Sequence, residues 1–164
     1  MNLRRNYRLI FVCLVSAIAV TTGVMLSQQP SQAVTKDDDV TAVNKVIDDF
    51  QTAYCAMKIT DVQNLFHHKA VVGIDFNSNK SQEIMTLTEW LDSTREVFKG
   101  KPWVTDRLTN RQIEVLENSM ATVVCNYDYK DPGHHQVGVD IFTLMKIRGQ
   151  WKIISLVFSG DSTK

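Results

Sequence analysis

Cysteine is scarce in this chain: three in 164 residues, and Cys13 falls within an apolar N-terminal run. Only Cys55 and Cys125 remain for the rest, which excludes a disulfide-stapled scaffold. In an oxidising compartment the two could pair; two small buried hydrophobes is the expected alternative. A surplus of one charge is also missing, with 18 basic and 18 acidic side chains. Setting aside Arg4, Arg5 and Arg8, which precede the apolar run, leaves 15 against 18, a net charge of −3. No basic stripe is left to hold nucleic acid or an anionic membrane surface. The chain has neither a Gly-x-Ser-x-Gly elbow nor a glycine-rich phosphate loop. His67-His68 and His134-His135 are adjacent pairs, which point to opposite faces of a strand. No cysteine or glutamate completes either at a usual ligand spacing, so no metal and no cofactor is expected. Internal repeats and low-complexity segments are absent too.

What is present begins with an address. Arg4, Arg5 and Arg8 lead into an apolar stretch, Leu9 to Leu26, and Ser31-Gln32-Ala33 follows as a small-x-small site. That is the layout of a secretory signal peptide over residues 1–33, cleaved after Ala33, giving an exported, periplasmic or secreted domain over 34–164. The alternative is a membrane anchor formed by uncleaved residues 9–26.

Beyond the leader, Val43, Ile47, Phe50, Tyr54 and Met57 recur at spacings of three and four, which predicts an amphipathic helix opened by Asp37-Asp38-Asp39. Thr60-Asp61-Val62-Gln63 reads as a capping box for a short second helix. Ala70 to Phe76 reads as a strand, Asn77 to Ser81 as a loop, and Glu83 to Met85 as a short strand back. Thr86-Leu87-Thr88-Glu89 caps a third helix that ends at Gly100. From Trp103 onward the period changes to two. Trp103 to Glu117 and Met120 to Lys130 alternate about Asn118-Ser119, and Asp131-Pro132-Gly133 predicts a type II turn.

The last stretch, Val137 to Ser159, is two apolar runs about Arg148-Gly149-Gln150, a tight hairpin signal. Val137, Val139, Ile141 and Met145 take one face; Asp140, Phe142 and Leu144 take the other. Trp151, Ile153 and Val157 oppose Ile154, Leu156 and Phe158. Apolar groups on both faces predict central strands covered on both sides, by the chain's helices and by a partner subunit. Helices first and a meander second give an α+β fold, helices packed on one face of a curved sheet. Asp140 is the single carboxylate inside the final apolar pattern. It must be paired, protonated, or open to a cavity, because an isolated buried carboxylate is too costly.

AVNKVIDDFQTAYCAMKITDVQNLFHHKAVV and VDIFTLMKIRGQWKIISLVFS together resemble the nuclear transport factor 2-like superfamily, which includes ketosteroid isomerases, SnoaL-like proteins and lumazine-binding-like domains. The resemblance covers essentially all of the chain after the leader. It implies a cone-shaped half-barrel, a mostly antiparallel sheet wrapped by three helices, with a pocket at its mouth and dimerisation through the outer sheet face. The isomerases use a helix tyrosine, a protonated aspartic acid on a late strand and a carboxylate base on the first strand. Laid on this chain, the late-strand acid is Asp140, the tyrosine position is Phe50 with Tyr54 one turn on, and the base position is Ile74 with Asp75 on the opposite face. One role of three is matched, against isomerase chemistry in its known form.

The expected function is therefore non-catalytic binding of a small apolar molecule by Phe50, Tyr54, Trp90, Tyr127, Asp140 and Phe142 in a homodimer. Tyr129 is a further aromatic that could line the same pocket. An isomerase- or hydrolase-like enzyme using Asp140, with Tyr54 or Asp75, is the first alternative. A dimerisation module with no ligand is the second. A further ionisable group converging on Asp140 would favour the enzyme, and a lone Asp140 binding. A cavity filled by Phe50, Phe142 and Trp90 would leave only association.

Overall fold

The computed structural model describes residues 36–76, 81–117 and 119–162. The expected leader, its cleavage site, residues 77–80 of the Asn77–Ser81 loop, and Asn118 lie outside the described residues. Helix α1 (Lys36–Cys55) buries Val43, Ile47, Phe50 and Ala53, the stripe its periodicity predicts. It ends in a Schellman motif: the Lys58 N–H donates to the Ala53 carbonyl and the Met57 N–H to that of Tyr54, both at 2.9 Å, with Met57 at φ 54°. That turn feeds directly into α2 (Ile59–Leu65), which begins one residue before the expected capping box. Lys58 takes the N-cap position without a side-chain cap, so Thr60 does not cap. Helix α3 (Leu87–Phe98) does carry its box. The Glu89 N–H donates to Thr86 Oγ1 at 3.3 Å, and the Thr86 N–H to Glu89 Oε2 at 2.8 Å.

The strands are β1 (Phe66–Phe76), β2 (Ser81–Thr86), β3 (Thr105–Leu116), β4 (Met120–Asp131), β5 (His134–Ile147) and β6 (Gln150–Ser162). They form one curved, unclosed sheet in the order β2-β1-β6-β5-β4-β3. Only the β1–β6 pairing is parallel. Helix α1 packs on β3 and α3 on β1, so the helices cover the concave face. That face is built by alternation: Ala121, Val123, Cys125, Tyr127, Tyr129 and Asp131 on β4, with Asp140, Phe142 and Leu144 on β5, are all buried.

Two departures from the sequence pattern have local causes. In β6 the register passes from Leu144↔Ile153 to Thr143↔Ser155, leaving Ile154 as an extra residue. This bulge reverses the alternation, so Leu156 joins Trp151 and Ile153 inside while Val157 turns outward. At Pro132-Gly133, Gly133 does not take a positive φ, so the turn is not type II. The Asp131 carboxylate closes it instead, accepting from the Gly133 N–H at 2.8 Å and the His134 N–H at 3.0 Å. The convex face is open in this chain: Val71, Val137, Val139, Ile141, Met145 and Val157 are between 36 and 45% exposed. The final hairpin does turn as its sequence requires, on Arg148 and Gly149 at φ 51° and 81°.

Asp39 is not the simple cap that the acidic run suggests. It is 2% exposed, pairs with Lys146 on β5 and accepts from Trp151 Nε1 on β6 at 3.2 Å. One side chain thus fastens the start of α1 to the last hairpin. We predict that Asp39→Ala costs about 2 kcal/mol in chemical denaturation, because it leaves a buried indole N–H without an acceptor.

Candidate functional site

Between the helices and the concave sheet lies a cavity of about 470 Å³. Its aromatic wall comes from α1 (Phe50, Tyr54), α3 (Trp90), β4 (Tyr127, Tyr129) and β6 (Phe158). These rings hold one another: Tyr54 stacks on Phe50 at 5.7 Å and Trp90 at 6.4 Å, and meets Phe98 edge-on at 5.0 Å. Five of the six residues proposed from sequence as ligand-binding line this space. Phe142 does not. It is fully buried with its ring edge-on to Phe50 at 5.2 Å, part of the core beneath the cavity. Ile74 lines the wall from β1, whereas Asp75, absent from the lining, accepts from Gln82 Nε2 at 3.3 Å.

Asp140 looks inward and is 5% exposed. A second carboxyl joins it. Asp106, at the start of β3, lines the same cavity, is 8% exposed, and its Oδ1 has no hydrogen-bond partner. Nothing in the sequence reading singled it out. The available signal was its phase, since Asp106 and Leu108 share the apolar face of a strand whose next residues alternate. What fixes Asp106 is α1: its N–H donates to Cys55 Sγ at 3.1 Å, and the Leu108 N–H donates to Gln51 Oε1 at 3.2 Å. Cys55 and Cys125 are free thiols.

Electrostatics tie the two acids together. Burial, with the Asp128 charge added, raises Asp106 from its ordinary 3.8 to about 7. Burial and then the Asp106 charge hold Asp140 well above the carboxylate range, with no hydrogen bond opposing either effect. Both carboxyls therefore resist ionisation, and Asp106 is poised to titrate near neutral pH. The pair can donate through one carboxyl and accept through the other.

Tyr127 completes this floor. It sits opposite Gly138 in the β4–β5 ladder, and Gly138 sits opposite Gly160 in the next. Its ring lies over that glycine pair, and its buried hydroxyl has no partner. A Cβ at 160 would overlap Tyr127 Oη and the Val137 carbonyl, so glycine is required here by space. We predict that Gly160→Ala lowers stability by about 1–3 kcal/mol in urea denaturation by driving the tyrosine towards the cavity. Adding Tyr127→Phe recovers part of that loss.

Lys101, Asp131, His134 and Gln136 line the same cavity. Asp131 is saturated: it pairs with Lys101, accepts from Tyr129 Oη at 2.7 Å and lies 3.2 Å from His134 Nδ1. Burial pushes its pKa up, but the Lys101, Gly133, Tyr129 and His134 hydrogen bonds outweigh it and hold the carboxyl far below its usual range. The cavity therefore holds one carboxyl that the chain satisfies, Asp131, and two that form no ion pair among the described residues, Asp106 and Asp140.

Three helices on the concave face of a curved, unclosed sheet enclosing such a cavity define the NTF2-like fold. Within it, the chain belongs to the family described as "putative lumazine-binding", whose model matches residues 38–159. Solved structures share the fold at low identity. An NTF2-like protein of unknown function from Shewanella baltica is 17% identical, with a TM-score of 0.61 over 78% of this chain and 98% of that one. A "putative scytalone dehydratase" from Novosphingobium aromaticivorans is 14% identical, with a TM-score of 0.61 over 76% and 83%. A cystatin-like protein of unknown function from Nostoc punctiforme is 12% identical, at 0.61 over 78% and 94%. No curated protein matches the chain.

Proposed function

We propose that this chain is an exported small-molecule-binding domain that takes an apolar ligand with a polar end into the cavity between α1, α3 and the concave sheet. The observation that carries this is chemical mismatch. An aromatic-walled space of about 470 Å³ ends on buried polar atoms, Asp106 Oδ1 and Tyr127 Oη, that nothing in the chain satisfies. Buried polar groups left without partners destabilise a fold, and a ligand group supplies the partner. Phe50 and Trp90 line the cavity rather than fill it, which supports a ligand over a purely associating module.

Export rests on the leader over residues 1–33, and pairing of two chains on the exposed apolar stripe of the convex face. Native mass spectrometry of protein purified from its own host tests all three. The expected result is a chain beginning at Val34, doubled in mass, carrying a small molecule. A ligand-free protein whose cavity also accepts no apolar dye would sink the binding reading.

A second reading has a specific observation behind it. Asp106 joins Asp140 in one cavity, the further ionisable group that favours an enzyme. Burial weakens both acids, an arrangement suited to moving a proton between two positions of a bound molecule. Under that reading Asp106 is the base and Asp140 the acid, and the retained molecule is a substrate or product. Incubating the identified ligand with the protein in deuterated water separates the two readings. Protein-dependent exchange at carbon supports the enzyme, and an unchanged ligand supports binding alone.

A further inference from the structure

We propose that the polar end of the ligand is a protonated amine, seated between Asp106 and Asp140 with its apolar body against the aromatic wall. The inference rests on the binding reading above and adds the ligand's charge.

The geometry argues by elimination of partners. Asp106 and Asp140 are both more than nine-tenths buried, face one cavity, and neither forms an ion pair among the described residues. Of the basic groups, Arg111 donates to Asp48 at 2.5 Å, Asn44 at 2.9 Å and Gln51 at 3.2 Å. Lys101 lines the same cavity and is held by Asp131. The titratable groups that face the two carboxyls are Tyr54 from α1 and Tyr127 and Tyr129 from β4. Cys55 and Cys125 stand beside them, with Asp128 and Asp161 acting from further off. None of these is a cation. An anionic ligand end would meet the like charge of an ionised Asp106, and a neutral hydroxyl would leave that charge uncompensated.

An ammonium group resolves both deficits at once. Its N–H groups donate to Asp106 Oδ1 and to the Asp140 carboxyl. Tyr54, Trp90 and Tyr129 line the same cavity and give the apolar body its wall. Seating the amine favours the ionised form of Asp106 while Asp140 stays neutral, so binding below neutral pH releases the Asp106 proton to solvent. The amine keeps its own proton, no covalent bond changes, and charge balances as one cation bound for one proton released.

Isothermal titration of the full chain with three probes of one shape tests this: 2-phenylethylamine, 2-phenylethanol and 3-phenylpropanoate. We expect the amine to bind about 10- to 100-fold more tightly than the alcohol, the range for hydrogen bonds to charged groups, with the propanoate weakest. At a pH of about 6, the dependence of the heat on buffer ionisation should report about one proton released per amine. Asp106→Asn and Asp140→Asn should each remove most of the amine's advantage over the alcohol, and Asp106→Asn should abolish the proton release. Alcohol or propanoate binding as tightly as the amine would overturn the amine assignment and leave the pocket reading standing. Absence of binding by all three would overturn both.

Discussion

Replacing Asp106 with asparagine is expected to stabilise the protein at pH 8 and to flatten its response to pH. A carboxyl whose folded pKa lies above its unfolded one binds more protons in the native state, so its contribution is harmless below the unfolded value. As pH rises from 3.8 towards about 7 the unfolded chain ionises while the folded one resists, and stability falls across that window before levelling off. At about 1.4 kcal/mol for each tenfold change in acidity, the rise corresponds to about 4 kcal/mol as an upper bound. Asparagine keeps the shape and removes the charge. Thermal denaturation of both proteins at pH 4.5 and pH 8 should give a small gain for Asp106→Asn at the first and a clearly larger one at the second. A variant no more stable at pH 8 would mean that the native carboxylate is compensated after all. A gain in stability coupled to a loss of binding would mark Asp106 as a residue kept for its chemistry at the expense of the fold.

Asp131 should behave in the opposite sense, though it lines the same cavity. Asp131→Ala strips the acceptor from Lys101, Tyr129, Gly133 and His134 together, and a loss of about 3–5 kcal/mol is expected, the range for breaking a buried pair. Its folded pKa is depressed, so its stabilisation is present in full above the ordinary value of 3.8 and is lost as pH falls below it. Urea denaturation at pH 7 and at about pH 2.5 checks the sign: the gap between wild type and Asp131→Ala should narrow in acid. A gap that stays constant would place the aspartate's value in the turn geometry rather than in its charge. Together the two variants separate an aspartate the fold has satisfied from one it has not.

Much of the architecture was legible from neighbouring residues. The α1 stripe, the α3 capping box and the Arg148-Gly149 hairpin are each specified within a few positions of chain, where helix and strand periods act directly. The inward aim of Asp140 was legible for the same reason, because it alternates with Val139 and Ile141. The β6 faces were not, since a single bulge at Ile154 reverses every later side chain and leaves no mark in the pattern of apolar residues.

By itself the sequence determined which elements form, their order, and that one acid lies among aliphatic neighbours. Tertiary structure alone decided that Asp106 shares a cavity with Asp140, that Phe142 lies beneath it, that Asp39 reaches the last hairpin, and that Asp131 is saturated. The reason is range. Helix and strand periods are settled by residues a few positions apart, whereas two acids 34 positions apart in the numbering meet only once strand register, sheet curvature and the covering helix are all in place.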